Sequence, residues 1–152
     1  MTHNACYVIM SERQVHGMEE SSSTKARLIE AAKKEFLDKG YEKASLRKIC
    51  AEADVTTGAM YFFFKNKLAL FESIVAEKAE HLLALVKRQT DSEVNGRGNS
   101  AEYQREMNEY ICSNKDEIHI LLDKSAGTPY ESFREEYCGE VAKGFYMFYD
   151  KS

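Results

Sequence analysis

Tryptophan is absent from the 152 residues, and proline occurs once, at Pro129. A chain with so few fixed breakers has little to stop long helices, and its composition is that of an ordinary helix-rich protein. Cysteine is scarce as well: Cys6, Cys50, Cys112 and Cys138 stand far apart, with no C-x-x-C or Cys/His spacing. They read as free thiols in a reducing cytoplasm rather than as disulfides or metal ligands. No apolar run approaches the about 18 residues that a membrane-spanning helix needs. The apolar stretch 5–10 is too short, and too soon followed by charge, for a signal peptide. The histidines (His3, His16, His81, His119) pair with no nucleophile or ligand set, and no phosphate-cradling glycine loop is present. The expectation is therefore a cytoplasmic protein that is not an enzyme and uses no cofactor and no metal.

Positive charge is in deficit overall, with a net charge of −4. The deficit is uneven. Residues 24–70 hold ten Lys/Arg against six Asp/Glu, while the remainder holds eleven against nineteen. A basic segment joined to an acidic remainder suits a nucleic-acid-binding head on a body that does not bind nucleic acid.

Inside the basic segment, residues 45–71 (SLRKICAEADVTTGAMYFFFKNKLALF) read as two short helices and the start of a third. Leu46, Ile49, Cys50 and Ala53 repeat at helical steps, with Ser45 placed to cap them. Asp54, Val55 and Thr56 make a short turn, and Thr56 is the cap candidate for a second helix over 57–64. A short helix, a tight turn and a second short helix form a helix-turn-helix, whose second helix enters the DNA major groove N-terminus first. Ser45 and Thr56 are candidates to touch phosphates at the helix starts, and Arg47 and Lys48 add charge-assisted contacts. Thr57 stands where base edges are read. Gly58 and Ala59 are small enough to let the helix come close and to leave room for a thymine methyl. Upstream, Leu28, Ile29, Ala32 and Phe36 give residues 24–39 one apolar face, with Gly40 as terminator.

This segment resembles the DNA-binding domain of TetR-type bacterial transcriptional regulators. The resemblance begins at Thr24-Lys25-Ala26-Arg27-Leu28-Ile29-Glu30-Ala31-Ala32 and runs through Phe36, Gly40-Tyr41 and Ser45-Leu46-Arg47-Lys48-Ile49. It continues through Val55-Thr56-Thr57-Gly58-Ala59-Met60-Tyr61, Phe64, Asn66-Lys67 and Leu70. It implies an all-α protein: a three-helix head over 24–70, then a helical ligand-binding and dimerisation body over 71–152. It also implies that Tyr61 and Lys67 hold phosphates, and that a homodimer binds a double-stranded DNA operator and releases it for an unidentified small-molecule effector. Two positions depart from the pattern. Asp54 stands where the family usually has Gly, and Phe62-Phe63 stands where it often has a polar group, so one ring should be exposed on the DNA face.

Beyond the head, Asn66 is the cap candidate of a helix ending near Arg88, and residues 90–100 read as a polar loop. Helices are expected over 101–112 and 115–124, and a last one over 130–149 with Pro129 at its start. The aromatic density of that last segment reads either as a core and dimer surface or as the lining of a pocket. The effector-pocket candidates are Tyr103, Met107, Tyr110, Phe133 and Tyr137. Residues 1–23 are expected to be a disordered arm. Set against the family, the body reads as truncated after Ser152. The competing expectation is a shortened relative that works as a protein-interaction partner without binding an operator itself.

Overall fold

The computed structural model describes residues 4–94 and 100–149, with side chains over 21–91, 101–144 and at 146. Every described element is a helix: α1 Asn4–Lys43, α2 Leu46–Glu52, α3 Thr57–Phe63, α4 Lys67–Val94, α5 Ser100–Ser113, α6 Lys115–Asp123 and α7 Phe133–Tyr149.

Helix α1 starts at Asn4, well before the position expected from the capping pattern, and the first residues are therefore helix where an arm was expected. No proline lies in that stretch, and adding residues to an existing helix is far easier than nucleating one. Gly40 takes φ 72° and ends the regular run, as its position in the sequence predicts. Helix α4 starts at the Asn66 cap, whose Oδ1 accepts from the Ala69 N–H at 2.8 Å. It continues to Val94, past the Arg88 end expected from polarity, because polar residues without Gly or Pro do not stop a helix. The rest of the expected loop, 95–99, lies outside the described residues.

Helix α7 departs most from expectation. Pro129 does not open it; residues 125–132 form turns, and the helix begins at Phe133. Two buried hydroxyls account for this. Thr128 Oγ1 donates to the Ser125 carbonyl at 2.7 Å and accepts from the Tyr130 N–H at 3.1 Å. Ser125 Oγ donates to the Tyr130 carbonyl at 3.0 Å. These local bonds satisfy backbone groups that a helix would otherwise use.

One continuous core joins the elements. Leu28, Ala32 and Phe36 of α1, Ile49 of α2 and Met60 of α3 close over Leu70 and Phe71 at the start of α4. Further along α4, Val75, Leu82 and Leu85 share the core with Ile118 and Leu121 of α6 and Phe133 of α7. Lys33 on α1 also reaches Glu117 on α6 at 2.8 Å. Burial of Glu117 works to raise its pKa, but the Lys33 hydrogen bond prevails and holds the carboxyl below its ordinary value.

Phe71 is the ring on which head and body meet. It stands edge-on to Phe36 and to Tyr41, each at 5.2 Å, and 6.3 Å from Tyr130. Replacing Phe71 with Ala should lower the unfolding free energy by about 3–5 kcal/mol. Denaturant titration followed by circular dichroism checks this, and a loss below about 1 kcal/mol would show that the ring cluster is dispensable.

Candidate nucleic-acid interface

The two short helices are fixed by their caps. Ser45 is extended, accepts at Oγ from the Lys48 N–H at 3.4 Å and donates its own N–H to Glu35 Oε1 at 3.1 Å. Thr56 is extended too, and its Oγ1 accepts from the Ala59 N–H at 3.1 Å. Between them Asp54 adopts φ 53°, a left-handed value that asparagine and aspartate reach more readily than other side chains. The turn therefore survives the loss of the family's glycine. The inner faces are closed by Ile49, Cys50, Met60 and Phe64.

What faces outward is unusual for a protein surface. Thr57 and Gly58 are exposed, Ala59 is half-buried, Tyr61 is 52% exposed and Phe62 is 81% exposed. Residues four apart on a helix lie one above the other, so Thr57 pairs with Tyr61 and Gly58 with Phe62 along one outer face. Phe62 meets Phe63 edge-on at 5.1 Å, and Phe63 is half-buried. The expected exposed ring is thus Phe62. Arg47 and Lys48 on α2 and Lys65 after α3 are exposed, and the Lys48 ammonium lies 3.9 Å from the Glu35 carboxylate.

Gly58 has no structural reason to be glycine. A Cβ added there would meet only Thr56 Oγ1, at an ordinary 3.8 Å. Glycine costs up to about 1 kcal/mol relative to alanine in a helix interior and less in the first turn, where Gly58 stands. The chain tolerates that cost at the exposed foot of α3, where a backbone free of side chain lets a ligand come close.

Lys67 is placed differently from the simple expectation of a phosphate contact. Its ammonium donates to the carbonyls of Glu42 at 3.1 Å and Ala44 at 2.9 Å, and lies 4.6 Å above the Tyr41 ring. Burial holds its pKa below the ordinary lysine value. An ammonium has three N–H donors, so one is left for another acceptor. The lysine thus ties the end of α1 to the start of α4, a contact between distant residues that sequence spacing does not reveal.

The pocket candidates are divided by the structure. Tyr103 lies 5.3 Å beneath the Arg88 guanidinium, Tyr110 stacks on His81 at 4.2 Å, and Met107 is buried in the core. Tyr137 is half-buried, and its burial raises the phenol pKa. Phe133 alone of the five lines the body groove between α4 and the start of α7, a recess of about 260 Å³. Ala76, Ala79, Glu80 and Leu83 form one wall, while Pro129, Tyr130, Ser132 and Glu136 complete the other. Sequence reading grouped aromatic residues by type, whereas the groove is made by small residues of α4 that give the rings room.

Comparison with known proteins follows this geometry. A sequence profile described as bacterial regulatory proteins, tetR family, matches residues 28–74. The HTH-type transcriptional repressor BepR of Brucella suis biovar 1 (strain 1330) is 39% identical over 56 residues, covering 37% of this chain and 27% of BepR. The transposon Tn10 TetC protein of Escherichia coli is 29% identical over 109 residues, 72% of this chain and 55% of TetC. A crystallised transcriptional regulator from Aquifex aeolicus VF5 superposes with a TM-score of 0.56 at 26% identity, over 82% of this chain and 68% of that one. The matches thus span only 27% of BepR and 55% of TetC.

The turn offers a direct check on the backbone. Asp54→Gly should raise stability by about 0.5–1 kcal/mol by removing the left-handed penalty, and Asp54→Val should lower it. Thermal unfolding of the three proteins measures both, and equal midpoints would contradict the strained turn.

Proposed function

We propose that the chain, whose residues 28–74 match the tetR family of bacterial regulatory proteins, is a transcriptional repressor that holds a DNA operator and releases it when a small molecule binds the body. The observation that carries the DNA-binding half is the outer face of α3. It presents a glycine that the fold does not require, beside exposed Thr57, Tyr61 and Phe62.

In this reading Thr57 and Ala59 meet base edges, and Gly58 lets the helix sit deep in the major groove. Ser45, Arg47, Lys48, Thr56, Tyr61 and the remaining N–H of Lys67 hold phosphates, which fix register without reading sequence. One head offers few base contacts, so the operator is read by a homodimer with heads one DNA turn apart, about 34–36 Å. The body takes the effector, which must bind the DNA-incompetent state more tightly, since equal affinity for both states shifts nothing.

Titrating the 152-residue chain against DNA from upstream of its own gene and against shuffled DNA, at two salt concentrations, tests the proposal. Selective, cooperative binding supports it; weak binding that ignores sequence would remove it. Tyr61→Phe and Arg47→Ala should weaken binding to all sequences and flatten its salt dependence. Thr57→Ala should change sequence preference by about 1 kcal/mol or more. Gly58→Ala should stabilise the head by up to about 1 kcal/mol yet lower operator affinity. A Gly58→Ala protein that gains stability and keeps full affinity would contradict the close approach.

A further inference from the structure

The body groove has a charge pattern that nothing in the fold uses. Its floor is apolar, with Ala79 and Leu83 of α4, and its far wall is aromatic, with Tyr130 and Phe133. Glu80 stands on α4 and Glu136 on α7, so carboxylates rim the recess from two different elements, and no Lys, Arg or His lines it. Among the described residues neither Glu80 nor Glu136 belongs to an ion pair. Both carboxylates are exposed, and their like charges give the open recess a negative potential. Aromatic faces add to it, because their quadrupoles attract cations. An anion is repelled from such a site, whereas a neutral apolar molecule gains nothing from the two carboxylates.

We propose that this groove binds a small organic cation with a flat apolar body, its ring against Tyr130 and Phe133 and its charge between Glu80 and Glu136. The recess measures about 260 Å³ and is open to solvent on one side, so a single ring with a cationic head can enter it. The proposal deepens the effector reading and rests on it only for the consequence at the DNA. Tyr130 also lies 6.3 Å from Phe71, and its turn touches the head. The Tyr41 N–H donates to the Lys124 carbonyl at 2.9 Å, and Glu42 packs so closely on Gly127 that an added Cβ would lie 2.9 Å from Glu42 Cγ. A cation drawn between Glu80 and Glu136 pulls the start of α7 toward α4, and the 125–132 turn carries that shift to residues 40–44, where Lys67 anchors the head.

Three probes of one size and different charge test this: benzylammonium, benzyl alcohol and benzoate, each titrated into the full chain without DNA and followed by amide chemical shifts. Benzylammonium should move the Ala79, Leu83, Tyr130 and Phe133 signals and bind at least about fivefold more tightly than benzyl alcohol, with benzoate weakest. The Glu80→Gln/Glu136→Gln protein should bind benzylammonium about fivefold more weakly, with an unchanged unfolding midpoint and unchanged benzyl alcohol affinity. Equal affinity for the cation and the alcohol would overturn the proposal, as would undiminished cation binding by the double variant or shifts confined to α5. Operator affinity with and without benzylammonium is read separately. A bound cation that leaves operator affinity unchanged would end the effector reading and leave the site standing.

Discussion

Phe71 has no exposed surface and lies within aromatic contact of Phe36, Tyr41 and Tyr130. Two of those rings belong to α1 and its end, the third to the turn before α7. Edge-to-face pairs contribute about 0.5–1.5 kcal/mol each beyond the area they bury, and they fix orientation as well as distance. Because Phe71 is part of α4, the same residue sets the angle at which α4 leaves the head and the place where the body docks. The short helices α2 and α3 inherit their placement from this junction through Ile49, Met60 and Leu70, all fully buried.

Against that closed interior, the surface of α3 stands out by what it leaves uncovered. A buried Phe contributes about 1.5–3 kcal/mol over an exposed one, yet Phe62 keeps 81% of its surface in solvent. Its neighbour Gly58 forgoes helix stability with no packing need. Both departures from local optimum lie on one face, four residues apart. Sequences give up local consistency mainly at functional sites. The resemblance implies DNA contact on that face, so the proposed interface and the local sacrifice coincide.

The head was legible in the sequence because its determinants are local. Ser45 and Thr56 bond the N–H groups three residues on, and such bonds depend only on spacing. Gly40 and Asp54 take left-handed backbone as their residue types allow. The all-α class follows from the same helical periodicity. The start of α7 was not legible, because Ser125 and Thr128 close a hydroxyl network that overrides the preference of Pro129 for a first helical turn. Lys67 reads as a free cation until the fold brings the carbonyls of Glu42 and Ala44 beneath it, more than twenty residues away in sequence. The groove was hidden for a similar reason. Nothing in the spacing of Ala76 and Ala79 singles them out, and only the packing of α7 against α4 shows that they border a recess.

The contacts between body and head set how a signal could pass. Among the described residues they include directional ones: the Tyr41–Lys124 backbone bond, the Glu42–Gly127 approach, the Tyr41–Phe71–Tyr130 rings and the Lys33–Glu117 pair. Gly127 holds φ 79°, a backbone conformation that other side chains rarely adopt, and an added Cβ would push the Glu42 side chain aside. Packed interfaces of this kind switch between discrete arrangements rather than deform smoothly. A ligand in the α4–α7 groove touches Tyr130 directly, and the other three contacts surround the turn that holds it. Its influence on the head is limited to the difference in its affinity for the two arrangements of that turn. A small cation with modest affinity therefore suffices only if the two arrangements differ by a few kcal/mol, which is what the loss of one buried backbone bond and one ring contact would supply.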